Sequence, residues 1–254
     1  MDRILLKSRF TKDKIPAWLC PTCRSGILNP KKDGFVYSET ADSKNSHKHE
    51  EWEPEWVDYT YSMILECSNK NCREIVSSSG IGSVEGDWGM GMEGFPEPSF
   101  YDTFTPKYFY PSLILFNYPE EVEDDVKQEL KESFELFFCN PSSSANHIRS
   151  ALEKLLNHLK VKRFETSKGR KKFVVLHKRI EIISSKYPNL TDHFLALKWL
   201  GNAGSHSHKK ITTDDVIDAY DIFEFILNEL FKSKSLKKLV KKINKKKGPI
   251  NAKV

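Results

Sequence analysis

Two pairs of cysteines, Cys20-Pro21-Thr22-Cys23 and Cys67-Ser68-Asn69-Lys70-Asn71-Cys72, constrain this chain more than any other feature. Each pair sits on a short turn that aims two sulfurs at one point, and two such turns close a four-thiolate cage of the kind that holds zinc. Both spacings fall inside the usual ligand range. Disulfides and clustered unpaired or redox thiols are the other readings. Met1-Asp2-Arg3 leads into a charged segment with no apolar core, so no secretory signal is seen. The expected compartment is the cytoplasm, where disulfides are rare. A structural Zn2+ is therefore expected on Cys20, Cys23, Cys67 and Cys72. A closed four-sulfur site leaves no open position for substrate, which argues against a catalytic metal. His47 and His49 are alternative ligands between the pairs. Cys139, in Phe137-Phe138-Cys139, reads as a core thiol.

The residues around the cysteines predict strands. Trp56 to Glu66 is rich in β-branched and aromatic residues and runs into the second pair. Gly34–Ser38 and Arg73–Ser78 are candidate partners, and strands feeding metal turns make a zinc ribbon. Glu39 to Trp56 is polar and low in aliphatics, which predicts a long mobile loop. Residues 80–100 carry six glycines and two prolines, which predicts irregular structure or a linker. Tyr108 to Phe116 is an apolar segment between the halves.

Beyond it the spacing becomes helical. Pro119-Glu120-Glu121-Val122 opens a helix to about Phe138, with a proline early and acids in the first turn. Pro141-Ser142-Ser143-Ser144 caps a second, with Ile148, Leu152, Leu155 and Leu159 at helical spacing. A third spans about Phe173 to Tyr187. A fourth, capped by Thr191, ends near Gly204. Thr212-Thr213-Asp214-Asp215 caps a fifth, through Leu230. The fold class is α+β: a small β-rich zinc ribbon over residues 1–105, an all-α bundle of four to five helices over 106–233, and a lysine-rich tail over 234–254.

The net charge of +5 hides an asymmetry. Residues 232–254 hold ten lysines and no acid, so removing those ten charges from +5 leaves −5 on the rest. In the tail, Leu236, Leu239, Val240 and Ile243 form one stripe, with Lys237, Lys238, Lys241, Lys242, Lys245 and Lys246 around it. A basic amphipathic helix suits RNA or DNA, an acidic protein partner or a membrane surface. It suits equally a last helix whose stripe packs on the bundle. No apolar run is long enough for a transmembrane helix. No phosphate-binding glycine loop, dinucleotide fingerprint or nucleophile elbow is present.

The cysteine pairs, Tyr110-Pro111, Pro119-Glu120-Glu121-Val122, Ile148-Arg149-Ser150-Ala151-Leu152-Glu153 and Trp199-Leu200-Gly201-Asn202-Ala203-Gly204-Ser205-His206 occur in a telling order. The chain thereby resembles the family called domain of unknown function 4145 (DUF4145), over roughly residues 106–232. Members occur alone or joined to restriction enzymes and other bacterial and phage-conflict proteins. They are grouped with the HEPN superfamily of helical bundles, and a zinc ribbon is a frequent N-terminal companion. The resemblance implies an HEPN-like bundle, a role in bacterial or antiviral defence, and homodimerisation.

Many HEPN proteins are metal-independent ribonucleases with an arginine, a polar residue, three others and a histidine. Asn202 and His206 match the last two positions; the arginine position is Gly201, a departure that puts cleavage in doubt. Histidine can move a proton near neutral pH. Lys198, one turn before Asn202, and Arg149 on the second helix are candidates for steadying phosphate charge. The competing reading is a close-packed helix end, with Gly204 as a left-handed stop and Arg149–Glu153 as an intrahelical ion pair. The expectation is a protein that binds nucleic acid or a protein partner, with an endoribonuclease using His206, Asn202, Lys198 and Arg149 as the alternative.

Overall fold

The computed structural model describes residues 2–90, 95–167, 169–206 and 210–247; at residues 90, 167, 204–206 and 232–238 the description is of the backbone. The chain divides into two units, residues 2–114 and 115–254.

The first unit is built on an antiparallel sheet in the order β1 (Leu28–Glu39), β2 (Asp58–Cys67), β3 (Ile75–Met90), β4 (Pro96–Tyr110). On β2, Tyr61, Met63 and Leu65 are buried while Thr60, Ser62 and Ile64 are exposed. Side chains of period two put one face in the core. That face is aromatic: Phe10 meets Trp18 edge-on at 5.6 Å, and Phe35 meets Phe104 at 4.9 Å. Such edge-on pairs add about 0.5–1.5 kcal/mol each beyond area burial. Phe10 is pinned by two backbone hydrogen bonds with Phe104, and a short helix, α1 (Arg3–Lys7), precedes it.

Two segments hold more secondary structure than the sequence predicts. Residues 80–90 and 96–100 lie not in a linker but in paired strands, β3 and β4 running together from Ser77↔Tyr110 out to Met90↔Pro96. Glycine serves packing at two points: a Cβ on Gly80 would strike the Thr105 carbonyl and the Tyr61 ring, and one on Gly82 would strike the Phe104 ring. Pro96, Pro98 and Pro106 are tolerated because β4 is an edge strand. Where the sequence predicts a loop over 39–56, the segment holds α2 (Ala41–Ser46) and a 3-10 turn at Pro54–Trp56. The Thr40 hydroxyl accepts from the Ser43 amide, and the buried Ser43 hydroxyl donates to Glu39 while accepting from the Asp58 amide. This local network, not hydrophobic periodicity, orders the segment.

The second unit contains α3 (Asp124–Leu136), α4 (Pro141–His158), α5 (Leu176–Ser184), α6 (Thr191–His206), α7 (Thr213–Leu227) and α8 (Ser233–Lys246). α4 is central: Ala145, Ile148, Ala151, Leu152, Leu155 and Leu156 are all buried. Asn140 caps it, accepting from the Ser143 amide, with Pro141 at the first helical position. α3 begins after Glu123 and not at Pro119, because the Pro119 carbonyl closes a separate turn on the Val122 amide. Thr212 and Asp215 form a reciprocal capping box on α7. A buried hydroxyl cluster joins three helices: Tyr220 Oη lies 2.8 Å from Ser133 Oγ and 2.9 Å from Ser144 Oγ.

The expected third helix starts late. Phe173 ends a two-stranded hairpin, β5 (Phe164–Ser167) and β6 (Arg170–Phe173), and α5 starts only at Leu176. Gly169, at φ 74°, makes the turn. α6 runs two residues past Gly204, so Gly204 is not a left-handed stop. A π-helical turn at Asn228–Lys232 carries α7 directly toward α8. Cys139 is half-buried, its thiol 3.6 Å from the Leu136 carbonyl, and not a core residue.

Candidate functional site

The four paired cysteines converge. Their sulfurs all lie within 4.8 Å of one another, with Cys20–Cys72 at 3.8 Å and Cys23–Cys67 at 3.6 Å. Zinc–sulfur bonds of about 2.3 Å in a tetrahedron require sulfur–sulfur edges of about 3.8 Å. All five cysteines are free thiols, so the pairs are not disulfides.

The turns are built alike. Arg24, just after Cys23, has φ 55°, and Arg73, just after Cys72, has φ 52°. The Arg24 amide donates to the Cys20 carbonyl and the Arg73 amide to the Asn69 carbonyl. Amides also point at sulfur: Gly26 N to Cys23 Sγ and Asn69 N to Cys67 Sγ, both 3.4 Å. A Cβ at Gly26 would overlap the Cys67 sulfur, so glycine is required where the two turns meet. The Ser25 hydroxyl and the Ser25 and Gly26 amides pull the Cys23 thiol down to about 5, whereas burial pushes Cys67 up to about 12. A cation held by Cys20, Cys23, Cys67 and Cys72 would offset the negative charge of four thiolates, which the burial of Cys20 and Cys67 otherwise disfavours. The donor set fits a metal ion with a complete shell. His47 does not join the sulfur cluster; its Nε2 lies 2.7 Å from Glu39 Oε1 and its ring packs on Trp52. His49 lies beside Trp56, the two rings tilted at 48°.

In the second unit, α6 carries Lys198, Asn202 and His206 at successive turns of one face. Lys198 is nearly buried, with Nζ 3.5 Å above the Trp199 ring. Asn202 is half-buried; the His206 side chain and all of His208 lie outside the described residues. Gly201 is buried against α4, where an added Cβ would lie 2.5 Å from Arg149 Cβ. Arg149 is thus brought to the motif position by packing. Its Nη2 pairs with Glu153 at 3.4 Å, and its Nε is buried without a partner.

On α8, Lys241, Lys242, Lys245 and Lys246 are exposed, as are Leu239, Val240 and Ile243. The side chains of Lys237 and Lys238 lie outside the described residues.

Two groups escaped the sequence reading. Glu129, Glu132 and His147 converge, with His147 Nδ1 2.8 Å from Glu129 and 3.1 Å from Glu132. Lys154 Nζ sits 2.6 Å from Glu129. Although burial works against it, Lys154 and His147 hold the Glu129 carboxyl below its ordinary range. A cation is already there, so the cluster reads as an ion-pair network joining α3 and α4. The other group is the β5–β6 hairpin, whose run Arg170-Lys171-Lys172-Phe173 signals a basic surface with aromatics.

Residues 8–109 match the family model described as domain of unknown function DUF8608. Residues 131–246, from within α3 to the end of α8, match that described as domain of unknown function DUF4145. No curated protein and no solved structure matches the chain. Two family models thus match successive parts of the chain: DUF8608 the segment that holds the four-cysteine cluster, and DUF4145 most of the helical unit.

Proposed function

We propose that this is a nucleic-acid-binding protein in which α8 supplies the electrostatic contact and the cysteine cluster holds a structural zinc ion. The observation that carries the reading is the state of α8: Leu239, Val240 and Ile243 remain 44%, 46% and 40% exposed beside Lys241, Lys242, Lys245 and Lys246. A last helix that served only to close the bundle would bury that stripe. Lysines without intervening acids attract phosphate by releasing condensed counterions. Four thiolates favour Zn2+ over hard cations such as Mg2+ or Ca2+. The DUF4145 match, through the HEPN grouping that the sequence resemblance implies, motivates the further expectation of a homodimer acting on foreign nucleic acid.

The test is fluorescence anisotropy with labelled RNA and DNA across a salt series. The reading predicts affinity that falls steeply with salt. Substituting Lys241, Lys242, Lys245 and Lys246 by alanine lowers the slope by about 0.7 for each single-strand phosphate no longer neutralised. Nucleic-acid affinity untouched by the four substitutions, or binding to anionic vesicles alone, overturns the assignment.

One observation favours a second reading, a metal-independent ribonuclease. α6 stays helical through His206, which aligns Lys198, Asn202 and His206, and Arg149 reaches Gly201. RNA cleavage that survives excess chelator and is abolished in His206→Ala supports it; cleavage persisting in that variant removes it.

A further inference from the structure

We infer that the β5–β6 hairpin is a stacking platform for single-stranded nucleic acid. The inference rests on the nucleic-acid-binding reading and gives it a second element that contacts bases where α8 contacts phosphates.

The register pairs Phe164 directly with Phe173, so both rings lie on one face of the ribbon. They meet edge-on at 5.8 Å, yet remain 42% and 45% exposed. The hairpin is anchored by other residues: Val161 and Val174 are 5% and 2% exposed, and the Val174 amide donates to the Arg163 carbonyl. Lys178 on α5 ties down Glu165 at 2.9 Å. Burial thus falls to the valines, and both rings are left facing water.

Cations surround the rings. Lys171 Nζ lies 4.3 Å above the Phe164 ring and the Arg163 guanidinium 5.7 Å from it. Lys160, Lys162, Arg170 and Lys172 are exposed close by along the chain. Glu165, the one acid in residues 160–174, is engaged by Lys178. Aromatic rings within a basic rim are what an unpaired strand requires: each base offers a π-face for stacking, and each phosphate needs a cation beside it. A duplex hides its base faces and gains only the charge. A purely structural cross-strand pair, worth about 0.2–1 kcal/mol, calls for no such rim.

Anisotropy with the full chain, using a 12-nucleotide single strand as RNA and as DNA and a matching duplex, tests this. Phe164→Leu/Phe173→Leu keeps the ribbon apolar but removes the stacking faces. The expected loss is about 5- to 150-fold per stacked base on the single strand. The duplex and the salt slope are little changed. Loss on both RNA and DNA indicates stacking alone; loss on RNA only adds recognition of the 2′-hydroxyl. Should the leucine variant unfold, Lys171→Gln/Lys172→Gln serves instead, with an expected drop in both affinity and salt slope. Wild-type affinity in a folded leucine variant sinks the inference while leaving the α8 assignment standing. If the unmodified protein binds neither strand nor duplex, both fall together.

Discussion

Gly201 packs so closely on α4 that any added side chain meets Arg149. A Cβ would sit 2.5 Å from Arg149 Cβ and 3.2 Å from its Cγ and Cδ, closer than ordinary carbon contacts. In an open helix interior, Gly→Ala stabilises by about 1 kcal/mol. Overpacking a filled helix contact costs about 1–3 kcal/mol. Gly201→Ala is therefore expected to destabilise by up to about 2 kcal/mol net. Urea unfolding followed by far-UV circular dichroism should show a lower midpoint with an unchanged slope. In an Arg149→Gly background the overlapping atoms are gone, and the same alanine should be neutral or stabilising. The double-mutant cycle then reports a coupling of about 0.5–3 kcal/mol. Gly201→Arg should unfold more readily still and should not create a nuclease. A higher urea midpoint for Gly201→Ala in the otherwise unaltered protein would refute the close α4–α6 contact.

Other outcomes follow from single contacts. Gly26→Ala forces the Cys67 sulfur aside, so metal retained after dialysis against a weak chelator should fall well below one ion per chain. Tyr220→Phe removes the hydroxyl shared by Ser133 and Ser144; each serine keeps its bond to the other's backbone, so thermal or urea unfolding should show a loss of about 1 kcal/mol. Thr212→Ala should cost about 1 kcal/mol at pH 7. The Thr212 hydroxyl and amide hold Asp215 below its ordinary value of 3.8. A depressed carboxylate contributes fully above that value and loses its contribution as pH falls through the folded value. The gap between the unmodified protein and Thr212→Ala should therefore narrow in unfolding curves taken below pH 3.8.

What the sequence disclosed was whatever rests on local spacing. The cysteine pairs, the period-two strand through Tyr61, Met63 and Leu65, and the apolar stripe of α4 are each carried by neighbours along the chain. The capping box at Thr212–Asp215 is equally local. What it concealed depends on partners far away in sequence. Gly80 and Gly82 look like loop glycines until Tyr61 and Phe104 lie across them. Residues 39–46 look unstructured because Ser43 is satisfied by Glu39 and by Asp58, fifteen residues on. The β5–β6 hairpin was hidden because its strands are four residues each and its turn is marked only by Gly169. At the helical site the spacing of Lys198, Asn202 and His206 was readable, but the contact of Gly201 with Arg149 joins α6 to α4 across the bundle.

Elemental analysis of the purified protein, beside a Cys67→Ser variant, probes the central claim most directly. One zinc ion per chain, held through dialysis and lost in the variant with collapse of the first unit's near-ultraviolet signal, is the predicted result. A folded protein with no bound metal, or with the four thiols joined as disulfides, would contradict it.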